Sequence, residues 1–145
     1  MSDAKAQERE TRARGPQDRP MSPHIQVWRW HVTMFTSIAH RATGMALYVG
    51  LLVVAGWVVS LAMGADAFSA YGALLASPIG LLVLFGLTVA FLYHLANGVR
   101  HLFWDSGKGF APKTADMTGW AAIVFGVVAA VLIWTIALLN MGAAQ

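Results

Sequence analysis

The sequence predicts an all-α integral membrane protein: three transmembrane helices preceded by an interfacial segment, with the N-terminus cytoplasmic and the C-terminus periplasmic. Three observations carry this. The 145 residues are 57% hydrophobic and only 12% charged. Three runs lack Asp, Glu, Lys and Arg altogether: Ala42 to Ala65, Ala67 to Val99, and Met117 to Gln145. All ten Lys and Arg residues fall before or at the start of the first run, or at the end of the second and in the loop after it. About 20 apolar residues cross the hydrocarbon core as a helix. Runs this continuous do not show the alternation of barrel strands. Because short cytoplasmic loops collect Lys and Arg, the charge distribution sets the orientation.

Residues 1–20 are polar and charged and predict a flexible tail. Its acids, Asp3, Glu8, Glu10 and Asp18, argue against an organellar transit peptide. No apolar stretch follows as a secretory signal would require. Residues 21–145 form the membrane anchor domain, with helices expected at about 33–63, 77–105 and 116–141. The segment Pro23 to His31, with Arg29 between Trp28 and Trp30, reads as lying against the membrane surface. Trp104 and Trp120 fall at the same interface, where amphipathic rings are favoured. The second run is too long for one straight span; Ser77 as N-cap and Pro78 at the first helical position trim it. Asp116 or Thr118 caps the third helix. Cysteine is absent, so this chain offers no thiolate to a metal or an iron–sulfur cluster.

Two polar clusters interrupt the apolar runs. On the first helix, Ser37, His40, Arg41 and Gly44 fall at i, i+3, i+4 and i+7, on one face. A hydroxyl, an imidazole and a guanidinium there suit a quinone head group, whose carbonyl oxygens need donors, or a haem propionate, which needs a cation. The plain alternative is that Arg41 and His40 only snorkel to the head groups. Ionisable residues in membrane spans mark function by default. On the second helix, His94, Asn97, Gly98, His101 and Asp105 again share a face. A neutral imidazole at His94 is a good axial ligand for haem iron. Gly98, one turn on, leaves room for a flat macrocycle, and Arg100 and His101 lie where propionates would project. Asp105 could orient His101 or pair with Arg100. The alternative for His94 is a helix–helix hydrogen bond without metal. The third helix offers Trp134, Thr135 and Asn140 and reads as packing. No phosphate-binding glycine loop or paired carboxylate is present, and the tail is too mixed in sign to argue for nucleic acid.

Arg19-Pro20-Met21-Ser22-Pro23-His24, Ser37-Ile38-Ala39-His40-Arg41-Ala42-Thr43-Gly44, and the run from His94 to Asp105 together resemble the succinate dehydrogenase cytochrome b556 subunit family. This is the larger membrane anchor of respiratory complex II. The resemblance covers the chain from about Arg19 onward, and its first motif is closest to the alphaproteobacterial and mitochondrial branch. It implies a subunit of succinate:quinone oxidoreductase in the bacterial inner membrane, without dehydrogenase chemistry of its own. Its implied partners are a flavoprotein, an iron–sulfur subunit and a small membrane anchor. It implies His94 as an axial ligand of haem b, with the second ligand from the small anchor. Ser37 and Arg41, with Trp30 as a wall, would bind ubiquinone. His40, Arg41 and His101 would approach the haem propionates. Three other readings stay open: a quinol:fumarate reductase anchor, a self-contained b-type cytochrome with His40 and His94 both on the iron, and a scaffold without redox function.

Overall fold

A computed structural model describes Lys5 and residues 28–143, so the expected tail, but for Lys5, and the Arg19–His24 motif lie outside the described residues. The described chain is helical: α1 Val32–Ala62, α2 Ala65–Ala76, α3 Pro78–Asp105 and α4 Pro112–Ala143. α1, α3 and α4 are long and apolar enough to cross a membrane. At 1.5 Å per residue, the 12 residues of α2 reach only about 18 Å, too short to span. The spans run up, down and up. The start of α1, the end of α3 and the start of α4 therefore meet at one end, and α2 lies at the other.

Local chemistry explains most boundaries. His31 caps α1, its Nδ1 accepting from the Met34 amide at 3.2 Å. Ahead of it, Trp28 and Trp30 meet edge to face with centroids 5.0 Å apart. Gly64, at φ +105°, turns the chain from α1 into α2 in a conformation that L side chains rarely adopt. Ser77 caps α3, its Oγ accepting from the Gly80 amide at 3.1 Å, with Pro78 at the first helical position. α3 ends in a Schellman motif: the Gly107 amide donates to Trp104 O and the Lys108 amide to Phe103 O.

Two boundaries differ from expectation. The stretch before Ser77 forms the separate helix α2, tied to α1 by the Tyr71 hydroxyl donating to Val53 O at 2.8 Å. α4 starts at Pro112, one turn ahead of Asp116. Proline suits a first helical position because its missing N–H has no partner there. The early start carries Thr114, Ala115 and Thr118 towards the end of α3.

α3 is the central helix, with its largest interface against α4 and a second against α1. Small residues make the close approach possible: Ala90 on α3 and Ala115, Ala122 and Ala130 on α4 are buried. At Gly126 a Cβ would fall 2.8 Å from Tyr93 Cβ and 2.9 Å from its Cα. Backbone cannot swing aside, so Gly126→Leu is expected to force α3 and α4 apart. Overpacking costs about 1–3 kcal/mol, to be read as a lower melting temperature of the detergent-solubilised protein.

Polar pins complement this packing. The Tyr93 hydroxyl donates to Thr36 O at 2.8 Å, and Trp134 Nε1 donates to Thr88 Oγ1 at 3.1 Å. Trp134, read from sequence as packing, thus also ties α4 to α3. The remaining helix surface is apolar and exposed, including Val49, Leu52, Leu82, Phe91, Leu132 and Leu139. Only lipid or further helices can cover such a surface.

Candidate functional site

Both polar clusters lie at the end where α1, α3 and α4 meet, and two distinct structures are built there. One is a stack of imidazoles. His40 on α1 and His94 on α3 lie face to face, centroids 3.9 Å apart and planes 13° apart. His101, two turns along α3 from His94, is also stacked with His40, with centroids 5.0 Å apart and planes 18° apart. Trp104 meets His101 edge to face at 5.1 Å. The i, i+7 spacing on α3 and the fixed height of His40 on α1 produce the stack.

Each ring has a different polar environment. His94 Nδ1 lies 3.1 Å from Thr43 Oγ1, whereas Nε2 makes no hydrogen bond with the described residues. His101 Nδ1 lies 2.7 Å from Asn97 O, one turn back on its own helix. His40 Nδ1 is buried without a partner among the described residues. Gly44 allows the contact between helices: a Cβ there would lie 3.3 Å from His94 Cε1. At Gly98 nothing stands within 4 Å of an added Cβ, so the face one turn beyond His94 is open. Among the described residues no three His, Asp or Glu side chains are placed to hold a metal ion together.

The second structure is a buried arginine. Arg100 is 6% exposed, and its guanidinium reaches all three spans. Nε donates to Thr118 Oγ1 at 3.1 Å and Nη2 to Ala115 O at 2.9 Å, both on α4. Nη1 donates to Thr36 Oγ1 of α1 at 3.3 Å and to Asn97 Oδ1 of α3 at 3.2 Å. Its Cζ lies 4.0 Å from the Trp104 ring centroid, a cation–π contact. Four of five guanidinium protons thus meet neutral oxygen acceptors. This corrects the sequence expectation that Arg100 lies near the surface beside propionates or pairs with Asp105. Asp105 is exposed, and His101 is held by Asn97 O instead. A helix wheel around α3 puts Arg100 on the α4 side, away from the His94 and His101 face.

Ser37 and Arg41 share the His40 side of α1 but are exposed, directed away from the packed seam. Trp30 is not gathered with them. It is 67% exposed and lines an apolar groove with His31, Val32, Phe35, Trp120 and Ile123. Phe35 is two residues from Ser37, about 200° around the helix, so this groove opens on the far side of α1.

Comparison with known proteins agrees with this architecture. The succinate dehydrogenase/fumarate reductase transmembrane subunit family matches residues 16–133. The chain belongs to that family. It is 39% identical over 115 residues to the succinate dehydrogenase cytochrome b556 subunit of Paracoccus denitrificans, covering 79% of this chain and 88% of that one. It is 34% identical over 116 residues to the cytochrome b556 subunit of Rickettsia bellii, covering 80% and 90%. To the mitochondrial cytochrome b560 subunit of Sus scrofa it is 34% identical over 119 residues, covering 79% and 69%. The chain is thus a multi-pass inner-membrane anchor subunit of the succinate dehydrogenase family.

Three residues of this anchor's site escaped the sequence reading. Thr43 lies about 100° around α1 from the Ser37 face, so a one-face search passes over it. Thr36 was hidden beside the more conspicuous Ser37. Thr118 was read as a cap for α4, yet it is nearly two turns inside the helix and bonded to Arg100. The only signal in the sequence was common to all three, a hydroxyl in an otherwise apolar run; the side chain it faces on another span is seen only in the fold.

Proposed function

We propose that this chain is the large anchor of a succinate:quinone oxidoreductase, holding haem b together with a small anchor subunit and forming part of a ubiquinone-reduction site. The observation that carries the reading is His94: its Nδ1 is tied to Thr43, its Nε2 makes no hydrogen bond among the described residues, and the face beside it at Gly98 is open. Those features fit a haem. His94 would be one axial ligand, a histidine of the small anchor the other, and His40, Arg41 and His101 would serve the propionates. The buried, unpartnered His40 Nδ1 supports this, because an orphaned polar atom of this kind is satisfied when the assembly is complete. When bound, the haem supplies a one-electron carrier beside the quinone site.

For the quinone, the Ser37 hydroxyl would donate to one carbonyl oxygen, and the Arg41 guanidinium would stabilise negative charge developing on it during reduction. The exposure of both side chains suits a site completed by partner subunits. Trp30, whose groove opens on the far side of α1, is left out of this quinone site. Electrons would arrive from succinate through a flavoprotein and an iron–sulfur subunit. With the N-terminus cytoplasmic, protons for quinone reduction would come from the cytoplasmic side. The self-contained cytochrome would need His40 and His94 both to hold the iron, whereas the two rings lie face to face against each other, 3.9 Å apart.

Purification of the tagged chain from its native membrane in mild detergent tests the assembly. A flavoprotein, an iron–sulfur protein and a second small membrane subunit should accompany it; recovery alone, in conditions that preserve membrane complexes, would refute the anchor reading. In the purified complex, Ser37→Ala and Arg41→Leu should each lower succinate:quinone turnover by about 10²-fold, the scale of losing one donor to a developing oxyanion. Succinate oxidation with a soluble dye should be unaffected. Quinone turnover unchanged from that of the unsubstituted complex in both variants would remove these residues from the quinone site.

A further inference from the structure

We infer that Thr43 is the positioning residue that fixes the tautomer and ring orientation of His94, leaving Nε2 as the atom that meets iron. This rests on the reading of His94 as a haem ligand. The argument is a proton inventory. A threonine hydroxyl has one proton and two lone pairs. Thr43 Oγ1 lies 2.8 Å from Ala39 O and 3.0 Å from His40 O, two carbonyls one turn back on α1 that can only accept. Its single proton is therefore committed to the helix backbone. The third neighbour of Oγ1 is His94 Nδ1 at 3.1 Å, on another span and 51 residues away in sequence. With no proton left to give, Oγ1 can only accept from that atom. His94 must then carry its proton on Nδ1, and the Nε2 lone pair is left free.

The opposite tautomer would require Thr43 to abandon two backbone acceptors for one longer contact. Gly44 completes the device, since the His94 ring edge at Cε1 packs where a side chain would otherwise stand. Metal-bound histidines commonly give their second N–H to a fixed acceptor, which orients the ring and makes the ligating nitrogen a stronger donor. A stronger donor favours ferric over ferrous iron. Here a hydroxyl already anchored to its own helix provides that acceptor, on a span that carries no iron ligand.

The test uses the assembled complex from native membranes, with Thr43→Val, Thr43→Ser and His94→Ala read by ferric haem electron paramagnetic resonance and by redox titration. Valine keeps the shape of threonine and removes the acceptor. Supporting residues of this kind are worth about ten-fold or more in metal binding. A ten-fold loss of preference for the ferric form would raise a one-electron midpoint potential by about 59 mV. Thr43→Val should show such a rise and altered g values, whereas Thr43→Ser should track the unaltered complex. Thr43→Ala is read in the same way should the valine variant not assemble. If His94→Ala loses the low-spin spectrum while both acceptor-free variants keep the original potential and g values, the Thr43 inference fails alone. If His94→Ala keeps the original low-spin spectrum, His94 is not a ligand, and the underlying site reading fails with it.

Discussion

Arg100→Met is expected to leave little assembled protein in the membrane. The substitution keeps an apolar stem of similar length but removes the one side chain whose donors reach α1, α3 and α4 together. Thr36 Oγ1, Asn97 Oδ1, Thr118 Oγ1 and Ala115 O would each lose a partner in a region where water cannot replace it. Interhelical hydrogen bonds in membranes average about 0.6 kcal/mol and reach about 1.7 kcal/mol. Three of the four cross between helices, the Asn97 bond lying within α3, and they place the expected destabilisation at roughly 2–5 kcal/mol. Arg100→Lys should not restore stability, because an ammonium is a point charge and cannot serve acceptors on three helices as a planar fork does. Membrane abundance of the subunit and the thermal inactivation temperature of the solubilised complex are the measurements. A lysine variant matching the original protein in both would show that charge, not geometry, is what matters at this position.

His94→Ala is expected to have the opposite profile, a large spectroscopic change with little loss of assembly. His94 touches its surroundings through one hydrogen bond and a ring stack, and it holds no third helix. Its removal should abolish the six-coordinate, low-spin ferric haem signal by taking away one axial nitrogen. His40→Ala should retain low-spin character, because its ring lies against His94 face to face rather than edge-on to a shared iron. The two variants together separate this anchor from a cytochrome that ligates haem with both histidines. Loss of the low-spin signal in both would favour that alternative.

What could be read in the sequence followed from period and charge. The apolar runs, the Ser77-Pro78 corner and the shared face of His94 and His101 depend on helix geometry alone, and the structure contains all three. The opening of α4 did not follow, because Asp116 is a good cap by type, yet Pro112 one turn earlier is an equally good start. The role of Arg100 was hidden for a different reason. A basic residue near a helix end reads as a surface charge, and only the neighbouring helices reveal that its partners are Thr36, Asn97 and Thr118. Thr43 belongs with these: its function lies in a contact across 51 residues that no local pattern encodes.

Bilayers vary in thickness, and spanning helices answer by tilting. In this protein the three spans are knotted together at one end by a single guanidinium, six residues from His94. Tilt should therefore be expressed mainly as splaying at the α2 end, where the Tyr71 hydroxyl ties α2 to α1 and, among the described residues, no buried guanidinium joins the three spans. The imidazole stack, beside the knot, keeps its register while the far ends adjust to the lipid. The proposed haem ligand, whose role depends on ring orientation, would in this way be insulated from the mechanical state of the membrane.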